Sequence, residues 1–187
     1  MPGIKPGMTA YNMTTLAIRP AKTSDIPAIT RIYAQAVEHG TASFELAPPD
    51  EAEMARRMSE LLSTGFPYLT AELDGVICGY AYAGPFRTRP AYRLTVENSV
   101  YVAPNIQRRG IGRALLAALI EAAQARGFRQ MIAVIGDSGN QAGSIGLHEA
   151  LGFRHVGILD HVGFKHGRWL DSVLMQRALG AGAATAP

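Results

Sequence analysis

The sequence predicts one α/β domain whose mixed, mostly antiparallel sheet carries helices on both faces, with elements in the order βααβββαβαββ. Three observations predict it. Four segments repeat apolar residues at helical spacing, and short runs rich in β-branched and aromatic residues lie between them. The connections also change from a two-residue turn early in the chain to helical crossovers later. At 187 residues and 48% hydrophobic, the chain has the size and apolar content of a single compact domain.

Taken in order, residues 16–19 read as a short strand. Ser24 then caps a helix with Pro27 in its first turn, and Ile26, Ile29, Ile32, Tyr33 and Ala36 give that helix one buried face. Residues 40–49 form a loop ending in Pro48 and Pro49, with Phe44 as its large apolar residue, and Asp50 opens a second helix to about residue 62. Strands at 68–72 and 76–83 are joined by Asp74-Gly75, a hairpin signal. A long strand over 93–102 ends at Pro104, and a helix over 110–126 is closed by Gly127. The pattern ends as strand 130–135, helix 141–151 closed by Gly152, strand 153–159 and strand 169–176. Residues 1–15 read as a flexible leader, 16–178 as the folded domain, and the Ala- and Gly-rich 179–187 as a disordered tail.

Composition narrows the function. The longest apolar stretch, around residues 114–123, contains Glu121 and is flanked by charge, which is an amphipathic helix rather than a membrane span. The first residues lack a charged start followed by an apolar run, so no secretory signal is expected and the protein is placed in the cytoplasm. A lone cysteine, Cys78, excludes an internal disulfide, and His39, His155, His161 and His166 lack the spacing of a zinc site, so no metal is expected. With a net charge of +3 and no long run of Lys or Arg, nucleic acid is not an expected partner. Arg87, Arg89, Arg93, Arg108, Arg109 and Arg113 nevertheless crowd one stretch, which points to a small anionic ligand.

Gln107-Arg108-Arg109-Gly110-Ile111-Gly112-Arg113 lies between a strand and the strongly apolar stretch 114–120 of the following helix. Backbone N–H groups and the helix dipole point at an anion in such a place, and Gly110 and Gly112 let the main chain approach a diphosphate. The motif has neither the Lys-Ser/Thr end of a Walker loop nor the third glycine of the dinucleotide fingerprint. By itself it is also compatible with an ordinary glycine-bearing helix start flanked by solvated arginines.

Further motifs decide between these. Gln107-x-x-Gly110-x-Gly112 after Ser99-Val100-Tyr101-Val102, followed by Asn140-x-x-x-Ser144 and Leu147-His148-Glu149-Ala150-Leu151-Gly152-Phe153, resembles the acetyl-CoA site of the GNAT superfamily of N-acetyltransferases. The resemblance sharpens toward the phosphinothricin and methionine sulfoximine (methionine sulfone) acetyltransferase family through Arg89-x-x-Tyr92, Thr95-Val96-Glu97-Asn98-Ser99, Ala133-Val134-Ile135 and Lys165-x-Gly167-x-Trp169-x-Asp171. It spans residues 18–176 and implies the GNAT fold, acetyl-CoA as co-substrate and direct acetyl transfer in a ternary complex to the α-amine of a small anionic amino acid. It implies coenzyme contacts at Tyr101, Val102, Ala103, Arg108, Arg109, Gly110, Ile111, Gly112, Arg113, Ala114, Asn140 and Ser144. A homodimer is also expected from it, and Trp169 and Asp171 are read as fixing the last hairpin or making a subunit contact.

Acetyl transfer needs a neutral amine, a polarised carbonyl and a proton for the leaving thiolate. Glu97 is the first candidate for the base, the alternative being an ion pair with a nearby Arg. Alternation puts Glu97, Ser99 and Tyr101 on one face of their strand, unless a bulge of the kind GNAT strands often carry breaks it. His148 stands where many GNAT enzymes have a tyrosine credited with protonating the thiolate, so it is a candidate acid or base, or a helix histidine satisfied by its neighbours. The carbonyl is assigned to a backbone N–H near Tyr101 or Val102. Arg87, Arg89 and Tyr92 are expected to hold an anionic acceptor, with Phe44 as a wall and Asn98 or Ser99 as polar contacts. Two other readings stay open: a different amine acceptor, such as a polyamine, an aminoglycoside or a protein N-terminus, and a non-catalytic acetyl-CoA sensor.

Overall fold

The computed structural model describes residues 15–186. Strands β1 (Leu16–Pro20), β2 (Tyr68–Leu73), β3 (Val76–Pro85), β4 (Thr95–Val102), β5 (Gln130–Gly136), β6 (Arg154–Lys165) and β7 (Arg168–Ala178) form a seven-stranded sheet in the order β1-β2-β3-β4-β5-β7-β6. All neighbours are antiparallel except β4 and β5, so the predicted mixed sheet and element order hold. Helices α1 (Ile26–His39) and α2 (Glu51–Ser63) cover one face; α3 (Ile111–Ala125) and α4 (Ala142–Ala150) lie on the other.

The strongest signals gave the closest boundaries. Asp74 and Gly75 both take positive φ in the β2–β3 hairpin, and the Asp50 carboxylate accepts the Glu53 N–H at the start of α2. The start of α1 is corrected. Residues Thr23–Asp25 make a 3-10 turn and Asp25, not Ser24, precedes the helix, because its carboxylate is drawn to Arg19 (2.8 and 2.9 Å) and to the Lys22 N–H (2.8 Å). Strand β4 begins later than expected, since Pro90–Tyr92 forms a 3-10 turn with Tyr92 set edge-on against Phe86, 5.7 Å between centroids.

Strands β6 and β7 are longer than expected, and they meet at His166 and Gly167, both at positive φ. The register slips between Leu159 and Gly163, where His161 sits at φ 54°, and this bulge hides the alternation that marks a strand. The C-terminal boundary is also corrected. Leu179 is fully buried in the core, the Gly180 N–H donates to Gln124 Oε1 (3.1 Å), and Arg129 donates to Thr185 Oγ1 (2.5 Å), so what was expected as a detached tail is tied to α3 and β5. The expected leader lies outside the described residues except for Thr15, whose N–H donates to Asp74 Oδ1 at 2.9 Å.

Two cores fix the frame. Helix α3 buries Ile111, Leu115, Leu116, Leu119, Ile120 and Ala123 against β2, β3 and β4. At about 1.5–3 kcal/mol per buried aliphatic side chain, that packing makes the helix N-terminus a rigid platform. Across the sheet, Ile26, Ile29, Ile32, Tyr33 and Val37 of α1 join Met54, Met58, Tyr68 and Tyr80. Val37 takes the place expected for Ala36, which is only half-buried.

Candidate active site

Strands β4 and β5 pair over only three residues, Thr95↔Gln130, Val96↔Met131 and Glu97↔Ile132. Beyond that point β4 stays with β3 as far as Val102 and β5 with β7 as far as Gly136, so the two strands part. The opening is the floor of a cleft of about 780 Å³, within the range of small-molecule sites. Its walls include Glu97, Ser99, Tyr101, the loop from Gln107 to Arg113, Asn140, Ser144 and His148. A smaller cavity of about 420 Å³ lies on the α1–α2 side behind Tyr33, lined by Tyr68, Tyr80 and Tyr82 but without the glycine loop.

At the cleft mouth, Gly110 precedes α3 with φ 78°, a left-handed conformation that favours glycine. The Ala114 N–H bonds back to the Gly110 carbonyl (3.0 Å), which leaves the N–H groups of Ile111, Gly112 and Arg113 without backbone partners among the described residues. A Cβ on Gly112 would meet Leu147 and Val102 at ordinary contact distance. The donors, the helix dipole and the flanking arginines fit the diphosphate of a coenzyme.

Glu97 is half-buried and has no hydrogen bond or ion pair among the described residues, so the expected alternative of an Arg partner is not found. Burial pushes its carboxyl above the ordinary range. The β3–β4 register is uninterrupted from Val96 to Val102, so the bulge that the resemblance implies is absent and alternation is kept. Tyr101 accordingly turns to Tyr33 (5.0 Å) and Tyr80 (5.2 Å) on the α1 side.

Asn98 turns the opposite way. It is buried in the cleft lining, its Nδ2 donates to the Ile132 carbonyl (3.0 Å) and its Oδ1 lies 3.0 Å from His148 Nε2, so both ends of its amide have partners inside the protein. His148 is buried, its Nδ1 lies 2.8 Å from the Ser144 carbonyl, and its ring stands edge-on to Phe153. Burial lowers its pKa, partly offset by the Ser144 carbonyl.

Not every expected residue reaches the cleft. Phe44, Val102, Arg108, Ile111 and Arg113 line it, whereas Arg109 and Ala114 do not, and the Ala103 N–H is taken by the Cys78 carbonyl (2.9 Å). Arg87, Arg89 and Tyr92 stand on the loop that enters β4 and do not line the cleft; Arg87 lies over the rings of Phe86 (5.1 Å) and Tyr92 (5.8 Å). Arg89 is exposed and makes no ion pair among the described residues.

Apart from Asp171, a clasp behind the cleft has no counterpart in the expectations. Asp137 accepts from Thr41 Oγ1 (2.8 Å) and Asn140 Nδ2 (2.9 Å) and forms a two-pronged ion pair with Arg168, which holds its carboxyl well below the usual range. Lys165 is buried and donates to the Ser43 carbonyl at 2.6 Å, while Asp171 accepts from the Ser138 N–H and hydroxyl. Together they bind the 40–49 loop, β5 and the β6–β7 hairpin. The same loop delivers Phe44 between Gly136 and Gly163; a Cβ on either glycine would lie 2.4 Å from the ring. Glycines inside strands mark such close approaches.

Comparison with known proteins agrees with this geometry. Residues 18–174 match the acetyltransferase (GNAT) domain. The chain belongs to the GNAT acetyltransferases. It is 54% identical over 170 residues to a phosphinothricin N-acetyltransferase of Alcaligenes faecalis, covering 91% of this chain and 86% of the relative. It is 44% identical over 161 residues to an L-methionine sulfoximine/L-methionine sulfone acetyltransferase of Pseudomonas aeruginosa, covering 86% and 92%. A crystal structure of a GNAT superfamily phosphinothricin acetyltransferase from Sinorhizobium meliloti in complex with acetyl-CoA superimposes with a TM-score of 0.89 at 50% identity, covering 92% and 93%. In this GNAT domain the glycine loop and the parted strands line the same cleft. Among the described residues no group of His, Cys, Asp and Glu could hold a metal ion, and no helix is long and apolar enough to cross a membrane.

Proposed function

We propose that the protein acetylates the α-amine of a small anionic amino acid, with phosphinothricin, methionine sulfoximine and methionine sulfone as acceptors, by direct attack in a ternary complex. The observation that carries the reading is a half-buried carboxylate, Glu97, without an ion-pair partner among the described residues, on the wall of a cleft that the glycine loop also lines. The two named relatives support the acceptor class. Acetyl-CoA supplies the acetyl group as a thioester. Ile111, Gly112 and Arg113 hold the diphosphate through their N–H groups, and Arg108 and Arg113 add charge. Glu97 takes a proton from the acceptor ammonium, directly or through water, which its raised affinity for protons favours. The backbone N–H of Val102, which alternation turns away from β3 to the free edge of β4, polarises the carbonyl. His148 Nε2 returns a proton to the departing sulfur. Arg89 turns from its exposed loop to pair with the acceptor's anionic group, assisted by Tyr92. Loss of the amine's charge is the chemistry by which such an enzyme gives herbicide resistance, and the cytoplasm is where acetyl-CoA and amino acids meet.

Thiol release from acetyl-CoA tests this with phosphinothricin, methionine sulfoximine, methionine sulfone, spermidine and an aminoglycoside as acceptors. Turnover is expected with the anionic acceptors alone. Arg89→Ala should raise their KM by roughly 10- to 100-fold, the effect of one charge-assisted hydrogen bond, with kcat little changed. Turnover confined to the cationic acceptors would move the assignment to another amine class, and tight acetyl-CoA binding without turnover would make the protein a sensor.

The oligomeric proposal rests on the outermost strand. Among the described residues strand β6 pairs only with β7, and it exposes Val156, Ile158, Leu159, Val162 and Phe164, with Trp169 beside them at 60% exposure. A long apolar edge strand in water needs cover. A homodimer through this edge supplies it. Light scattering should give twice the 20.0 kDa chain mass, and Ile158→Lys should return the monomer. A wild-type monomer would remove the proposal.

A further inference from the structure

In the wall of the cleft, three hydrogen-bond links run in series: Ser144 carbonyl to His148 Nδ1 (2.8 Å), His148 Nε2 to Asn98 Oδ1 (3.0 Å), and Asn98 Nδ2 to the Ile132 carbonyl (3.0 Å). Both ends of the series are carbonyl oxygens, which only accept. The Ile132 end therefore requires the Asn98 NH2, which turns the Asn98 oxygen toward the imidazole. The Ser144 end requires a proton on Nδ1. The middle link then requires a proton on Nε2 as well. A neutral imidazole has one proton and leaves one link as lone pair against lone pair; rotating the Asn98 amide only moves the mismatch to Ile132. The imidazolium satisfies all three.

We propose that Asn98 is a positioning residue that reads the proton on His148 Nε2: while the proton is present, Asn98 ties the imidazolium of α4 to the β5 backbone at the point where β4 and β5 part. When the proton leaves Nε2, the lone pair left behind faces the Asn98 oxygen and the tie is lost. The ring is enclosed by the Phe153 ring, by Ser144 on its own helix and by Asn98 on β4. Among the described residues no carboxylate or cation acts on it: Glu97 projects to the other face of β4, and Glu149 is taken by His155 at 2.9 Å. Burial opposes the charge and the link series favours it. His148 thus keeps a proton that it can also give up.

The proposal deepens the acetyl-transfer reading, and its test separates the two. Ring ¹⁵N shifts of His148, assigned by comparison with His148→Gln, are followed through a pH titration of the full chain in wild type, Asn98→Leu and the near-isosteric Asn98→Asp, without substrates. Removing the acceptor in Asn98→Leu should lower the His148 midpoint by about one to two pH units, and the carboxylate of Asn98→Asp should raise it by about one to three. The kcat/KM profile should carry a limb that moves in the same directions. A merely structural Asn98 would change the height of the profile and leave the midpoints in place. Midpoints that coincide in wild type and both variants, or a wild-type ring that stays neutral at every pH at which the fold persists, would overturn the proposal. Because the ring titration needs no turnover, shifted midpoints in a protein that acetylates none of the acceptors would uphold Asn98 and overturn only the acetyl-transfer reading.

Discussion

Glu97→Gln should lower kcat/KM for the anionic acceptors by about 10²- to 10⁴-fold, the range of a positioned general base, while acetyl-CoA affinity stays within about twofold. The two effects separate because Glu97 lies where β4 and β5 still pair, away from the Gly110 to Arg113 cradle. The pH profile gives an independent sign. Burial raises the Glu97 pKa, so the competent carboxylate accumulates as pH rises through that raised value, and wild-type activity climbs there. The climb should vanish in Glu97→Gln. Stability should move the other way: a carboxyl whose folded pKa is raised contributes most below its unfolded value, and that contribution is lost as pH rises through the folded one. Glu97→Gln should therefore melt at a higher temperature than wild type at neutral pH. A loss under tenfold with the climb intact would place the base elsewhere.

The second large effect is expected at the slot that holds Phe44. In Gly136→Ala the new Cβ would lie 2.4 Å from Phe44 Cε1 and 2.9 Å from the Thr41 carbonyl oxygen, and in Gly163→Ala 2.4 Å from Cε2 of the same ring. Overpacking of this kind costs about 1–3 kcal/mol. Gly136→Ala should be the more damaging because backbone as well as ring must give. Both should raise the acceptor KM by displacing the 40–49 loop. The cause is separable by a double-mutant cycle: in a Phe44→Ala background, Gly163→Ala should cost less than about 0.5 kcal/mol by urea denaturation. Equal costs in the two backgrounds would mean that the ring is not what the glycines accommodate.

Much of this site could be read before folding, and the reasons differ by residue. Gly110 was legible because a left-handed residue at the start of an apolar helix leaves a glycine in the sequence. Glu97 was legible because strict alternation along β4 held, with no bulge to disturb it. The same alternation places Asn98 on the face opposite Glu97, and its amide partners, Ile132 and His148, lie too far away in the chain for periodicity to name them. The Asp137 clasp and the Phe44 slot were not legible. Each joins segments far apart in the chain through side-chain geometry, and a lone Asp before a helix or a lone Gly in a strand does not name its partner. Strand β6 was underread because its bulge at residues 160–162 breaks the period on which strand recognition depends.

The three-residue pairing of β4 with β5 has a consequence for the protein as a material. It is the narrowest join in the sheet: β1 to β4 form one antiparallel block, β5 to β7 another, and the Glu97↔Ile132 end of the join is where the cleft begins. A ligand lying along the parted edges mends that fracture line. A site filled at 100 times its dissociation constant adds about 2.7 kcal/mol to the folded state, a large share of a domain's usual 5–15 kcal/mol. The narrowest join of the sheet is thus also the place where a ligand bound as proposed would act as mortar.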